Sequence, residues 1–126
     1  LFHTESEVYS LAFGNDNTLW TIEEAGLVRQ WSIEGNLLQR HFLNDLEDCW
    51  TFSPDATKLA SGTTDVALWD VNKGRLKARR QTGTAWVTCF AFSQDGAILA
   101  SGHDDGFVRL WEVNGLKLVG EIHAHA

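Results

Sequence analysis

The chain is poor in residues that carry chemistry on their own. Its 126 residues include two cysteines, one proline, one tyrosine and no methionine. Cys49 and Cys89 have no second cysteine or histidine at ligand spacing, so a zinc site is not expected. Basic residues are scarce, 10 Lys and Arg against 17 Asp and Glu, for a net charge of −7. Binding to a phosphate backbone needs clustered cations, so nucleic acid is not expected as the main ligand. No apolar run approaches the ~20 residues that cross a bilayer as a helix, so a membrane is not expected as a partner. Ser, His and Asp are all present, but no Gly-x-Ser-x-Gly elbow accompanies them, which argues against a hydrolase triad. No motif calls for a cofactor, and Ser10, Cys49, Thr51, Cys89 and Ala91 do not form a catalytic set.

What the chain does have is a recurring pattern. From Ala97 to Val113 two short apolar runs flank the polar turn His103-Asp104-Asp105-Gly106. In the second run Val108 and Leu110 alternate with Phe107, Arg109 and Trp111, a period of two that argues strand rather than helix. Asp-Gly between such runs signals a hairpin, because Gly accepts positive φ. Related hairpins run from Leu19 to Ile33 and from Lys58 to Val71. Each ends near a Trp (Trp31, Trp69, Trp111), and each is preceded by an apolar strand closing on Phe (Phe13, Phe52, Phe92). Both landmarks recur about every 40 residues, the mark of a repeat array.

The turn Ser53-Pro54-Asp55, the Leu-Ala-Ser-Gly runs, Asp104-Asp105-Gly106 and the Val108 to Trp111 segment with its following acidic residue resemble the WD-repeat family. The resemblance spans three consecutive repeats. It implies an all-β fold, a β-propeller fragment of three four-stranded antiparallel blades at about 8–42, 47–80 and 86–122. Three blades do not close a ring, so the array is expected to continue beyond this chain. Its partners would then include the missing blades of a parent protein, or further copies of itself, covering the open faces of the first and third blades. Leu11, Phe13, Phe90 and Phe92, or the opposite set of strand residues, would line those faces. The two cysteines occupy the same repeat position as Ser10 and read as small residues near the axis.

The family also implies a buried hydrogen-bonded set in each blade: a His from the loop leading into the blade, a Ser or Thr on the second strand, an Asp in the hairpin and a Trp on the third strand. A buried indole N–H needs an acceptor, and an Asp can tie a turn by accepting its backbone N–H groups. The matching residues are His3, Thr21 and Trp31 in the first blade, with Ala25 in place of Asp. The second has Ser61, Asp65 and Trp69, with Asp45 where the His belongs. The third has Ser101, Asp105 and Trp111, with Gly83-Thr84 where the His belongs. Ala56 stands where Asn17 and Gly96 accept a left-handed turn, so a different turn or some strain is expected there. The basic run Arg75 to Arg80 reads as a charged outer edge strand, whose cations block edge-to-edge pairing.

In this family the narrow end of the propeller often binds partner peptides. The corresponding positions here are Glu7, Tyr9 and Glu24; Leu46, Asp48 and Thr64; and Trp86, Thr88 and Asp104. Exposed Trp and Tyr anchor interfaces, and the surrounding carboxylates favour a basic segment. The expected function is a non-enzymatic protein-binding scaffold in the cytoplasm. The alternative is a regulatory arm of a larger signalling protein.

Overall fold

The computed structural model describes residues 7–43 and 49–123. Twelve strands form three antiparallel sheets of four strands each, every sheet ordered as in the chain. The first blade holds β1 (Val8–Phe13), β2 (Leu19–Glu23), β3 (Leu27–Trp31) and β4 (Leu37–Phe42). The second holds β5 (Cys49–Phe52), β6 (Lys58–Gly62), β7 (Asp65–Asp70) and β8 (Arg75–Gln81). The third holds β9 (Val87–Phe92), β10 (Ile98–His103), β11 (Phe107–Glu112) and β12 (Lys117–His123). The innermost strands β1, β5 and β9 are neighbours, so the blades fan out from one side.

One turn design joins the first two strands of every blade. Asp16 Oδ1 accepts the backbone N–H and the hydroxyl of Thr18, and Asp55 Oδ1 does the same with Thr57. Asp95 Oδ1 accepts the Ala97 N–H and the Ser93 hydroxyl. The residue after each Asp has positive φ: Asn17 at 64°, Ala56 at 60° and Gly96 at 73°. Ala56 therefore keeps the shared turn and accepts the strain, about 1–2 kcal/mol for an L residue in this region. Its methyl is buried in the core. Hydrogen bonds from Thr18 hold the Asp16 carboxyl below the usual carboxylate range, as those from Ser93 and Ala97 do for Asp95. At Asp55 burial acts the other way, and the Thr57 and Ser53 hydrogen bonds outweigh it.

Two apolar seams form the core. Trp20, Ile22 and Val28 of the first blade meet Trp50, Phe52, Leu59 and Trp69 of the second. Ala60, Val66 and Leu68 on the reverse of the second blade meet Leu99, Trp111, Val113 and Leu116 of the third. Burying a Leu or Val side chain contributes about 1.5–3 kcal/mol. The second and third blades thus turn their Trp faces toward the blade before them. The middle blade is covered on both sides, and Asp65 to Trp69 of β7 are all buried. The two end blades are uncovered on opposite faces. Leu11 and Phe13 on the open side of the first blade are each 58% exposed. In the third blade Phe90 and Phe92 pack into the second seam, and the opposite set, including Cys89, Ala91 and Ile122, is exposed. The common direction of the blades explains the difference: one end presents its Trp side and the other its reverse.

Candidate functional site

In every blade the Trp on the third strand donates its indole N–H to the hydroxyl on the second. The distances are 3.1 Å for Trp31 to Thr21, 2.9 Å for Trp69 to Ser61 and 2.9 Å for Trp111 to Ser101. All three Trp side chains are buried. What lies beyond the hydroxyl differs from the sequence expectation. In the third blade His103, at the end of β10, puts Nε2 2.8 Å from Ser101 Oγ. A histidine is present after all, from the second strand rather than the leading loop. In the first blade Glu23 occupies the same position. It is fully buried, accepts the Thr21 hydroxyl at 2.7 Å, and receives Arg29 at 2.8 Å. His3 and Asp45 lie outside the described residues. Alternation along a strand puts residues i and i+2 on one face, so Thr21-x-Glu23 and Ser101-x-His103 carried a signal in the sequence.

The hairpin carboxylates do other work than bonding the hydroxyls. Asp105 accepts the Phe107 N–H at 3.0 Å and pairs with Arg109 at 3.2 Å, and it is exposed. Asp65 accepts the Thr63 N–H and pairs with Arg79. Arg79 lies opposite Ala67 in the pairing of β7 with β8, and Ala67 holds the position of Arg29 and Arg109. The second blade has lost its third-strand Arg and supplies the cation from the fourth strand. The run from Arg75 to Arg80 is thus more than a charged edge. Arg79 holds a buried carboxylate, and Arg80 donates to the Gly115 carbonyl of the third blade at 2.9 Å.

The candidate partner residues lie at the end where the innermost strands begin. Glu24 and Asp104 are repeat equivalents with the same local task. Glu24 Oε1 accepts the Glu7 N–H at 2.8 Å, and Asp104 Oδ1 accepts the Trp86 N–H at 3.0 Å. The backbone returns both bonds, from Glu24 N to Glu7 O and from Asp104 N to Trp86 O. Each acidic hairpin residue therefore pins the segment leading into its blade. Tyr9 and Thr88 follow at β-bulges, where the pairing of β1 with β2 and of β9 with β10 slips by one residue. A bulge re-aims a side chain, and such features recur beside functional sites. Glu7, Tyr9, Glu24, Trp86, Thr88 and Asp104 are exposed, with Tyr9 at 49% and Trp86 at 50%. Thr64 is half-buried, and its carbonyl takes both the N–H and the hydroxyl of Thr82. The structure brings Glu7 to Glu24 and Trp86 to Asp104. Leu46 and Asp48 lie outside the described residues. Among the described residues, no group of three His, Cys, Asp or Glu side chains could hold a metal ion.

Residues 75–112 match the family described as WD domain, G-beta repeat. That match begins on β8 and ends on β11, so a sequence repeat combines the outer strand of one blade with three strands of the next. The chain is 30% identical over 105 residues to apoptotic protease-activating factor 1 of Rattus norvegicus, a match covering 79% of this chain and 8% of that protein. It is 32% identical to small ribosomal subunit protein RACK1y of Oryza sativa subsp. japonica, over 62% of this chain and 24% of the other. The solved structure of the RRP9 WD40 repeats superimposes with a TM-score of 0.76 at 20% identity, covering 99% of this chain and 41% of that one. The chain thus spans less than half of each of these proteins.

Proposed function

For a chain that belongs to the WD-repeat family, a three-blade section of a propeller, we propose a non-enzymatic scaffold that holds a basic protein segment at its narrow end. WD repeats generally mediate protein–protein interaction. One observation carries the finer reading: two half-exposed aromatic rings stand where acidic hairpin residues pin the chain, Trp86 with its own N–H held by Asp104 and Tyr9 two residues after Glu7, whose N–H is held by Glu24. A ring held this way loses little freedom on binding and supplies an apolar anchor. Glu7, Glu24 and Asp104 add a negative rim that attracts a cationic segment and speeds encounter at low salt.

The test uses a short fluorescent peptide of arginines interrupted by leucines, beside its glutamine counterpart. The Arg peptide should bind in a salt-sensitive way, and Trp86→Ala combined with Tyr9→Ala should weaken it by about tenfold or more. Both side chains are exposed, so the fold should survive. Affinity unchanged in the double variant, or equal for the Gln peptide, would sink the reading. A second reading, the regulatory arm of a larger signalling protein, draws on the match to rat apoptotic protease-activating factor 1. Sequencing the transcript past both ends of this chain separates the two, since a kinase or nucleotide-binding domain in frame favours the arm.

A further inference from the structure

The seam between the second and third blades opens into two cavities beside the β11–β12 turn. One, of about 410 Å³, is lined by Lys58, Lys77 and Glu112; the other, of about 550 Å³, by Arg80, Lys117 and Leu118. Both border the β11–β12 turn at Asn114 and Gly115, so they adjoin there as two parts of a groove at the seam. Four of the chain's 10 cations line it, although the net charge is −7. Three others, Arg29, Arg79 and Arg109, are committed to Glu23, Asp65 and Asp105.

The cations are placed by the fold rather than scattered. The outer strand of each blade bulges at one equivalent residue, Leu38, Lys77 or Val119, where pairing with the third strand slips. The bulge is apolar in the flanking blades and a lysine only in the middle one, and there it lines the groove. Lys58 stands where the other blades have Thr18 and Ile98. Arg80 stands where they have His41 and Ile122. The corresponding cavity of the first seam, about 200 Å³, is lined by Asp16 and Asp55 with no cation. Local carboxylates temper the second groove without cancelling it. Asp55 acts on Lys58, Asp70 pairs opposite Lys58, and Glu112 pairs opposite Lys117.

From this geometry we propose a second docking site, in which the groove between the second and third blades takes an acidic peptide segment of a partner protein. Carboxylates of the segment meet Lys58, Lys77 and Lys117, and an apolar side chain meets Leu118 beside the exposed turn. Arg80 is oriented by the Gly115 carbonyl and keeps its charge at the rim. The mixed lining favours a peptide over a nucleic-acid backbone, which the negative charge of the whole chain repels. This site does not depend on the narrow-face reading.

The test is fluorescence anisotropy on the full chain with a short peptide of glutamates interrupted by leucines, its glutamine counterpart, and oligouridine RNA. The acidic peptide should bind more tightly than either comparator and lose affinity as salt rises. Lys77→Glu with Lys117→Glu, both at exposed positions, should lower its affinity by about tenfold or more. Trp86→Ala should leave it unchanged. Circular dichroism checks that the double variant folds; if it does not, Lys77→Gln alone should still weaken binding. The proposal is overturned if the Gln peptide binds equally, if RNA binds more tightly, if the lysine variants bind as well as the parent, or if Trp86→Ala removes binding.

Discussion

The two inter-blade seams follow one packing rule and differ in almost everything at their margins. The first is closed with aromatic rings. Trp50 and Trp69 lie with centroids 6.5 Å apart against Trp20, and at the outer side the His41 ring packs over Gly74. The second is closed with smaller aliphatic side chains around Trp111, with Phe90 and Phe92 packed against its edge, and its outer side stays open beside Arg80 and Gly115. The shared rule is the apolar period and the Trp-to-hydroxyl bond, which any blade needs to bury its sheet. The margins have no such demand, so charge and shape there can differ between blades. In this chain one seam margin is acidic and tight, the other basic and roomy.

The strongest way to break the second seam is Trp111→Ala. Trp111 is 3% exposed, and its N–H is the donor that Ser101 accepts. The substitution should cost about 3–5 kcal/mol as a large-to-small core change, read as a fall in the denaturant midpoint. A loss below about 1 kcal/mol would show that the seam collapses around the gap.

A sharper contrast comes from neighbouring positions of the turn after the third strand, where Gly74 aligns with Leu116 (φ 49°) and Gly115 with Lys73. Gly74 and Gly115 both lie in the turn between the third and fourth strands, with φ of 64° and 83°. An added Cβ at Gly74 would sit 2.6–2.7 Å from His41 ring and Cβ atoms, whereas at Gly115 nothing lies within 4 Å. Gly115→Ala should cost only the left-handed strain, about 1–2 kcal/mol. Gly74→Ala adds overpacking against the base of a side chain that cannot swing clear, about a further 1–3 kcal/mol. Thermal unfolding of the two variants side by side should show the larger fall in Tm for Gly74→Ala. Equal falls would mean that the first margin is no tighter than the second.

Much of this organisation was legible in the sequence. The repeat of Trp31, Trp69 and Trp111, with period-two alternation, implied strands in a repeat array, because a strand buried on one face must alternate, and the family resemblance made them blades. The hydroxyl partners Thr21, Ser61 and Ser101 followed from the family resemblance, and the need of a buried indole for an acceptor gives its physical reason. The residues beyond them did not. Glu23 and His103 were hidden because the family pattern places the histidine in another loop, and only the pleat brings i and i+2 to one face. In the sequence Arg79 looks like surface charge, because its pairing with Asp65 is set by strand register, which depends on a bulge. The same bulge turns Lys77 into the groove. The narrow-end positions were named from repeat equivalence, but the backbone bonds that occupy Glu24 and Asp104 belong to tertiary geometry. Leu46 and Asp48 lie outside the described residues.

The smallest expected effect separates the polar networks of the first and third blades. They hold Glu23 and His103 at equivalent positions, so the third contains an imidazole where the first has a carboxyl. Burial holds the His103 imidazole below the usual histidine range, with help from Arg109, against the opposing influence of Asp105, the Ala85 backbone and Asp104. A histidine that resists protonation when folded makes the unfolded chain the better proton acceptor. Its contribution to stability is therefore complete above the unfolded value of about 6.5 and declines as pH falls through that value toward the lower folded one. The carboxylates of Asp16, Asp55, Asp95 and Asp105 are also held low, but their contributions fade only at more acid pH. Between about pH 7.5 and about pH 5.5, Tm should fall in the parent chain and fall less in His103→Gln, whose amide can still bond the Ser101 hydroxyl. Equal pH slopes in the two proteins would show that His103 protonates as easily folded as unfolded. The third blade would then differ from the first in composition but not in its response to acid.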